Sequence, residues 1–585
     1  MSHYVKSLKI QNFRSCQVLE LDLSNFVPIV GYNNAGKSNI LSALEWLFKN
    51  RLLNAGEFCN PDEPIEVEGE IIGVTDEILE RLEDRHKASI LPYITNNSIK
   101  IKRTQLPNTR KATDVTLNVF HPSHGYRPNP TGIWNAIKQL FPEPIRVSAM
   151  DNAADDSAKS KSTSTIGKLL SELCNSVNEQ NLRKIDLHLS AITRRMAADG
   201  DKRLEELNDI DESINEKIDN LFPGLRLKLH FEVPNFEEIF KSGTVRVYDE
   251  AGIGRDFTSY GHGAQRSIQM ALIRHLAEVK KESESPTTTL LLIDEPELYL
   301  HPFAIEQVRE ALHALSENGY QVLFSTHSAQ MITADRAQHT LLIRKITGQG
   351  TCARKRLKDA LEKVLPNTTA QTQHLFSLSQ LTQILFSNKV ILTEGKTELR
   401  LLPYLYKKIS SNTLGQHNVA LIETGSVDSI YKTLQILREM DIPAIAIVDL
   451  DYAFRGAIKN GFIAEENESI LALKSLLLEL EKNKECKLAT DGLPTNKDSP
   501  ISAAKAFELL AQQTNAVGHI DKIHKLLAEN GIWLWKGGAI EAHLGLSAKS
   551  ESAWAEFKTK IDSDGLEVHC LDFAGVNALI QWMRQ

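Results

Sequence analysis

Two groups of residues have the types and spacing for phosphate chemistry. The first begins with GYNNAGKS, Gly31 to Ser38. This Gly-x4-Gly-Lys-Ser run follows the apolar stretch VPIV and opens the helical pattern NILSALEWLFKN. In that setting, backbone N–H groups of a glycine-rich loop curl round phosphate at a helix N-terminus. Gly31, Asn33, Asn34, Ala35 and Gly36 supply the loop, Lys37 reaches the β- and γ-phosphates, and Ser38 can ligate Mg2+. An ordinary glycine turn would not explain what lies downstream. LLLIDEP ends a buried strand in Asp294 and Glu295. Asp294 suits the Mg2+ shell and Glu295 the activation of water against a γ-phosphate. His327, in LFSTHS, ends the next strand and is placed to contact that phosphate.

The second group is acidic. In VILTEGKTELRLL, Glu394 ends a strand and Glu398 lies one helical turn further on. Asp449 and Asp451, in AIAIVDLDY, end another strand, where alternation points i and i+2 the same way. Open α/β sheets place ligands at such C-terminal strand edges. Acids gathered there resist being ionised and unpaired together. Oxygen-rich clusters of this kind suit Mg2+ or Mn2+, and two such ions can clamp both oxygens of a phosphodiester displacement. Gly425, in LIETGSVDSI, follows a middle strand, as a site loop or as a plain strand-to-helix turn. In LWKGGAIEAHLG, Lys536 ends a last strand and Glu541 opens a helix.

The elements around these residues follow from periodicity. The first 150 residues read as strands, YVKSLKIQNF, QVLELDL, PIEVEGEIIGV, SIKIKRTQL and DVTLNVF, broken by the helix after Ser38. DNAADDSAKSKSTSTIG reads as a loop, and the next fifty-odd residues have helical spacing, suggesting a helical hairpin. Strand signals resume at LRLKLHFEV. PNTTAQTQHLFSLSQ reads as a linker. Short strands alternating with helices from about Asn388 predict a parallel sheet.

The chain has 585 residues, enough for several domains, with 42% hydrophobic and 24% charged residues. A net charge of −8 advertises no overall attraction to nucleic acid, although a local groove can be basic on an acidic protein. The basic runs KIKR (Lys100 to Arg103) and RKRLK (Arg354 to Lys358) are either phosphate contacts or solvated faces. Cys16, Cys59, Cys174, Cys352, Cys486 and Cys570 form no CxxC, as expected of reduced thiols in a cytoplasmic protein. No signal-peptide pattern and no apolar run of membrane-spanning length is present, so no membrane association is expected.

LKIQNFRS, GYNNAGKS, SYGHGAQRS, LLLIDEPELYLHP and FSTHS, in that order over residues 1–345, resemble the motifs of an ABC-type ATPase of the SMC/RecF branch. The resemblance implies a signature motif at Gly261, Gly263 and Gln265, read in trans across an ATP-bound dimer. It also implies a D-loop from Glu297 to His301 and a switch histidine at His327. GHGAQ departs from the usual LSGGQ, and Gln105 is the candidate Q-loop glutamine. Glu-Gly-x-x-Glu followed by Asp-x-Asp resembles the Toprim domain of topoisomerases, primases and OLD (overcoming lysogenization defect) nucleases. An ABC-type head before a C-terminal Toprim domain is the OLD arrangement, shared by Gabija-type and retron-associated defence effectors.

The fold class so implied is α/β. An ABC-type ATPase domain (1–370, with a loop and helical insertion at about 151–224) precedes a linker (371–387) and a Rossmann-like Toprim domain with helical additions (388–585). The activity implied is ATP-regulated, metal-dependent DNA cleavage in anti-phage defence, with ATP and Mg2+ or Mn2+ as cofactors. Glu295, Glu394 and Lys536 would be catalytic, Lys536 stabilising charge. Glu394, Glu398, Asp449, Asp451 and Glu541 would hold metal. DNA and a second copy of the chain, or a higher oligomer, are the implied partners, with a companion defence protein or a retron RNA–DNA component left open. Two rivals remain at this point: a RecF/SMC-like repair ATPase with a non-catalytic Toprim scaffold, and a topoisomerase- or primase-like enzyme. A primase usually adds a zinc-binding domain, and the cysteines offer no such set.

Overall fold

A computed structural model describes residues 3–141, 144–148, 169, 179–219, 224–241, 245–281, 288–333, 336–364, 383–425 and 427–584. The chain divides into two compact units. The first comprises Met1–Ile29, Asn33–Met331 and Ile343–Ala353; the second comprises Val30–Tyr32, Ile332–Leu342 and Arg354–Gln585. The ATPase boundary expected near residue 370 thus gives way to a division at Ala353. The reason is packing: in the helix Leu357–Val364, Leu357 and Ala360 are buried in the second unit's core. The expected linker lies outside the described residues as far as 382, and beyond it Ile384 and Leu385 are buried in that same core.

The N-terminal strands are β1 (Tyr4–Phe13), β2 (Cys16–Asp22), β3 (Phe26–Val30), β4 (Ile65–Ile72), β5 (Ser98–Gln105), β6 (Thr116–His121), β7 (Gly125–Pro128) and β8 (Ile145–Val147). A small hairpin, β9 (Arg246–Tyr248) and β10 (Gly254–Asp256), stands apart. β11 (Thr289–Asp294), β12 (Tyr320–Thr326), β13 (Leu341–Ile346) and β14 (Gly350–Ala353) complete a sheet ordered β7-β6-β5-β4-β1-β2-β14-β13-β3-β12-β11-β8. β1 alternates as a half-buried strand should, with Leu8 and Ile10 buried opposite Leu21 and Leu19 of the antiparallel β2. β11 and β12 are parallel and buried at every position. Helices on both faces explain their unbroken apolar sequences. The helices His262–Lys281 and Pro302–Glu317 cover Leu291, Ile293, Val322 and Phe324, while α1 (Lys37–Phe48) packs against β11 and β12 as well.

Two expectations change here. LRLKLHFEV forms no strand: Leu227 and Leu229 give their backbone N–H groups to the side chains of Asn215 and Asp211, not to a neighbouring strand. The loop expected at 151–167 lies outside the described residues, but the helices Glu179–Met196 and Glu205–Asp219 are present. KIKR lies within β5, and of its basic residues only Arg103 is buried. Arg103 is 2% exposed, stacks over Trp134 and donates to the Leu47 carbonyl at 3.1 Å, whereas Lys102 and Lys100 pair with Glu66 and Glu70. Of RKRLK, Arg354 donates to the Asp441 carbonyl and Lys358 faces Glu362.

The second unit has four parallel strands, β15 (Lys389–Thr393), β16 (Val419–Glu423), β17 (Ala444–Val448) and β18 (Ile532–Leu534), ordered β16-β15-β17-β18. Val390, Leu392, Ala446, Val448, Ile532 and Leu534 face one apolar core, and Ile391, Ile447 and Trp533 face another. The sheet is therefore clad on both sides. β16 is an edge strand, not the middle one expected, so Gly425 sits beyond an edge. The order reverses between β15 and β17, and that switch opens a crevice at their C-terminal ends.

The loop before α1 depends on one glycine. Gly36 has φ 102°, a left-handed value. A Cβ there would stand 2.1 Å from Thr351 Oγ1, an atom that donates to the Ala35 carbonyl and bonds Ser15 Oγ at 2.7 Å. Gly36→Ala is expected to cost about 1–3 kcal/mol in strain and to abolish ATP turnover. Thermal melting and a phosphate-release assay check both.

Candidate functional site

In the first unit, Asp294 ends β11 and collects three donors. Its Oδ1 accepts from Ser38 Oγ and Ser325 Oγ, each at 2.9 Å, and its Oδ2 is paired with Arg146 from β8. Ser38 and Asp294, expected to share a magnesium shell, are thus in direct contact. Lys37 Nζ lies 2.8 Å from His327 Nε2, and His327 Nε2 lies 3.5 Å from Glu295 Oε1. The loop lysine, strand-end glutamate and strand-end histidine therefore meet in one place. Burial lowers the Lys37 pKa to about 8, with Glu295 and Asp294 opposing that shift. Burial, then the Lys37 charge, also lowers His327.

Glu297, expected to begin the D-loop, braces the histidine loop. Its Oε1 accepts from Thr326 Oγ1 (2.7 Å), His327 N (2.8 Å) and Ser328 N (3.2 Å). Gln265, read as part of a signature motif, lies in the first turn of the helix His262–Lys281 and donates to the Tyr260 carbonyl at 2.7 Å. Gly261 and Gly263 flank the start of that helix. Its neighbour Arg266, which sequence reasoning passed over, donates to the carbonyls of Asp294 and Glu295. Gln105 does not serve a Q-loop. It is buried, with its amide closing both backbone groups of Leu53 at 2.8 Å.

In the second unit, Glu394 follows β15, Gly395 caps the helix Lys396–Ser410, and Glu398 stands in its first turn. Asp449 follows β17 and caps a single turn, Leu450–Ala453, that carries Asp451. The aspartates are therefore brought together by a tight turn, not by the strand alternation expected, because β17 stops at Val448. A cavity of about 110 Å³ is lined by Glu394, Asp449, Asp451 and Arg455, with Gly538 and Ala539 opposite. Glu541 opens the helix Ile540–Leu544. It accepts from Thr397 Oγ1 at 2.5 Å and pairs with Lys549 at 3.3 Å.

Burial dominates the electrostatics. It raises Glu394 to about 7, with Asp451 adding to the effect. It raises Glu398 to about 7, with Glu541 adding. Asp449 and Asp451 are raised as well, Asp449 by burial and then by the charges of Glu398 and Glu394. Burial pulls Lys549 down, but Asp449, Glu541 and Glu398 hold it above its ordinary value. Glu394 Oε2, Asp449 Oδ1 and Asp451 Oδ1 are buried without a hydrogen-bond partner.

Those three oxygens fit a divalent cation, since buried anionic oxygens need a partner and hard cations take oxygen ligands. Among the described residues, no three His, Cys, Asp or Glu side chains form a ready-made ion cage. Lys536 is not the basic residue of this cluster. It pairs with Asp521 at 2.9 Å and lines a separate cavity of about 330 Å³. Lys549 and Arg455 take that place. Neither was named from the sequence: the four-residue spacing from Asp451 could have pointed to Arg455, whereas Lys549, on a loop past Glu541, gave no such signal.

Comparison with known proteins gives two domain matches: an AAA ATPase domain over residues 4–332, and the TOPRIM domain of overcoming lysogenization defect protein-like chains over residues 385–451. Over 566 residues the chain is 39% identical to the Old nuclease of Escherichia phage P2, covering 95% of each. It is 22% identical over 471 residues to the OLD nuclease of Thermus scotoductus, covering 76% of this chain and 82% of that one. Among solved structures, an SMC head bound to the C-terminal winged-helix domain of ScpA aligns with a TM-score of 0.38 and 16% identity, covering 61% of this chain and 99% of that one.

The raised acids make a prediction about pH. An acid whose folded pKa exceeds its unfolded value stabilises the fold while protonated, and that contribution is lost as pH climbs from the ordinary 4.5 through about 7. In chelator, the melting temperature should fall between about pH 5 and about pH 7.5. Glu394→Gln should flatten the fall, and Mg2+ should reverse it at the upper end. A melting series with and without EDTA checks all three; a flat wild-type profile would contradict the burial argument.

Proposed function

This chain belongs to the OLD nuclease family, with an ATPase domain and a Toprim nuclease domain, and we propose that it cuts DNA phosphodiesters at the Glu394–Asp449–Asp451 cavity under control of ATP. The carrying observation is the set of buried, unpartnered carboxylate oxygens on Glu394, Asp449 and Asp451 at the switch point of a parallel sheet. Mg2+ or Mn2+ ions bound there would supply charge neutralisation and polarise the phosphate and the attacking water.

The chain's own residues divide the remaining work. Glu394, Asp449 and Asp451 hold one ion, and Glu398 and Glu541 offer ligands for a second. Thr397 orients Glu541 through its hydroxyl. Lys549 stays charged among the acids and is placed to offset negative charge developing on the phosphate. Arg455, on the cavity wall, can meet a phosphate oxygen of the DNA strand. In the ATPase domain, Lys37 and the Gly31–Ser38 loop hold the phosphates, Ser38 and Asp294 the magnesium. Glu295 orients water, and His327 bridges Lys37 and Glu295.

Two copies would complete a nucleotide site through Gly261, Gly263 and Gln265, and a two-fold dimer follows from that reading. A role in defence against phage rests on the arrangement shared with Gabija-type and retron-associated effectors. Light scattering with and without ATP should give at least a dimer; a monomer under both conditions would sink the in-trans signature.

Glu394→Ala should abolish plasmid cleavage in Mg2+ or Mn2+, leave ATP turnover within about twofold of wild type, and not lower the melting temperature in chelator, since it relieves repulsion. Lys37→Ala should abolish ATP turnover and leave the chelator melting step of the Toprim unit in place. Wild-type cleavage by Glu394→Ala would refute the site.

A further inference from the structure

Beside the acidic cavity lies a group of residues that the reaction does not directly use. His543 is buried on the same short helix as Glu541. Its Nδ1 lies 2.6 Å from Asp572 Oδ2, and its Nε2 lies 2.9 Å from the Gly537 backbone nitrogen. A backbone N–H can only donate, so Nε2 is the acceptor, and the ring proton sits on Nδ1, facing Asp572. Asp572 is itself fixed: its Oδ1 accepts from Gly575 N at 2.8 Å, and its N–H donates to the His543 carbonyl at 2.9 Å.

The turn that His543 holds is the wall of the acidic cavity. Gly538 and Ala539 line that cavity, while Gly537, Lys536, His543 and Asp572 line the neighbouring one. The Gly538 carbonyl accepts from Leu450 N at 2.7 Å, and Leu450 is the residue between Asp449 and Asp451. An unbroken path therefore runs from Asp572 through the imidazole to Gly537, and from Gly538 to the turn carrying both aspartates. Gly538 has φ 114°, and a Cβ there would meet Glu508 Cγ at 2.9 Å, so the turn has little room to settle elsewhere.

We propose that His543, set in one tautomer by Asp572, is a positioning residue that holds the Gly537–Gly538 turn and through it the Asp449–Leu450–Asp451 turn in metal-binding register. This rests on the reading of the acids as the nuclease centre. Groups that orient metal ligands from behind typically change metal affinity or activity by about 10–100-fold when removed.

Asp572→Asn is the sharpest variant. With its oxygen kept on Gly575 N–H, its amide NH2 must face His543 Nδ1. That moves the ring proton to Nε2, against the Gly537 N–H, while the ring stays in place. His543→Phe keeps a ring and removes the acceptor, and His543→Gln restores an acceptor without the ring. Mn2+ binding to the full-length protein without nucleotide, followed by the electron paramagnetic resonance signal of free Mn2+, is the primary readout. Plasmid cleavage against Mn2+ concentration and ATP turnover accompany it.

Asp572→Asn and His543→Phe should each weaken Mn2+ binding roughly tenfold or more, shift the cleavage midpoint equally, and leave ATP turnover unchanged. His543→Gln should recover most of the affinity. Wild-type Mn2+ binding by Asp572→Asn overturns the proposal, as does His543→Gln behaving no better than His543→Phe. Should His543→Phe fail to give a cooperative melt, Asp572→Asn decides alone. Glu394→Ala separates the two levels: if it binds Mn2+ and cleaves like wild type, the nuclease reading fails. If it is inactive while the His543 and Asp572 variants are normal, only the positioning role fails.

Discussion

Carboxylates held where water is scarce are what the second unit has to tolerate. Raising Glu394 from 4.5 to about 7 corresponds to roughly 3 kcal/mol against ionisation. An ion pair with a half-exposed lysine such as Lys549 contributes about 0–1 kcal/mol, too little to offset burial of several acids. A divalent cation has the charge to do so. The unpartnered oxygens of Glu394, Asp449 and Asp451 therefore mark an arrangement with the chemistry to take a cation, at some cost in stability at the sheet's switch point. Lys549, Arg455 and Thr397 moderate the cluster without neutralising it.

The nucleotide site resolves a similar problem internally. Asp294 has Ser38, Ser325 and Arg146 around its carboxylate, and Arg266 ties the backbone of Asp294 and Glu295 to the helix His262–Lys281. That helix begins among Gly261, Gly263 and Gln265. Movement at the start of that helix thus acts directly on the backbone of Asp294 and Glu295. Glu297 performs the equivalent service for His327 by gathering its loop's N–H groups. Two side chains, Arg266 and Glu297, thus hold the backbone that carries Asp294, Glu295 and His327.

The parts of this arrangement that were legible in the sequence are those in which chemistry and local structure share a few residues. GYNNAGKS carries its strand, loop and helix together. Glu394 and Glu398 carry a strand end and a first helical turn in five positions, and both are found so placed. What spacing could not supply was long-range pairing. Lys536 had the right type beside the last strand, but Asp521, on the helix Thr514–Glu529, engages it. Lys549 arrives by way of a loop with no periodicity to announce it. KIKR read as surface charge because a buried arginine needs two tryptophans and a carbonyl from distant elements. LRLKLHFEV alternated like a strand, yet its N–H groups found helix side chains nearer than any strand edge. Asp449 and Asp451 were correctly paired for an incorrect reason, since a turn brought them together where a strand had been expected.

Both sites lean on backbone that only glycine can form. Gly36 and Gly538 have φ of 102° and 114°, and in each a Cβ would collide, with Thr351 in one and Glu508 in the other. At Gly36 the consequence is a tight left-handed turn into the helix Lys37–Phe48. At Gly538 it is a carbonyl aimed at Leu450 N, between two aspartates. A side chain can be replaced by another of similar reach, but a backbone group has one position for a given turn. Placing part of each site's geometry in the main chain therefore ties it to local packing around a glycine. Changes at Thr351, Glu508 or His543, none of which carries reacting charge, would then reach the chemistry through the turns they pin.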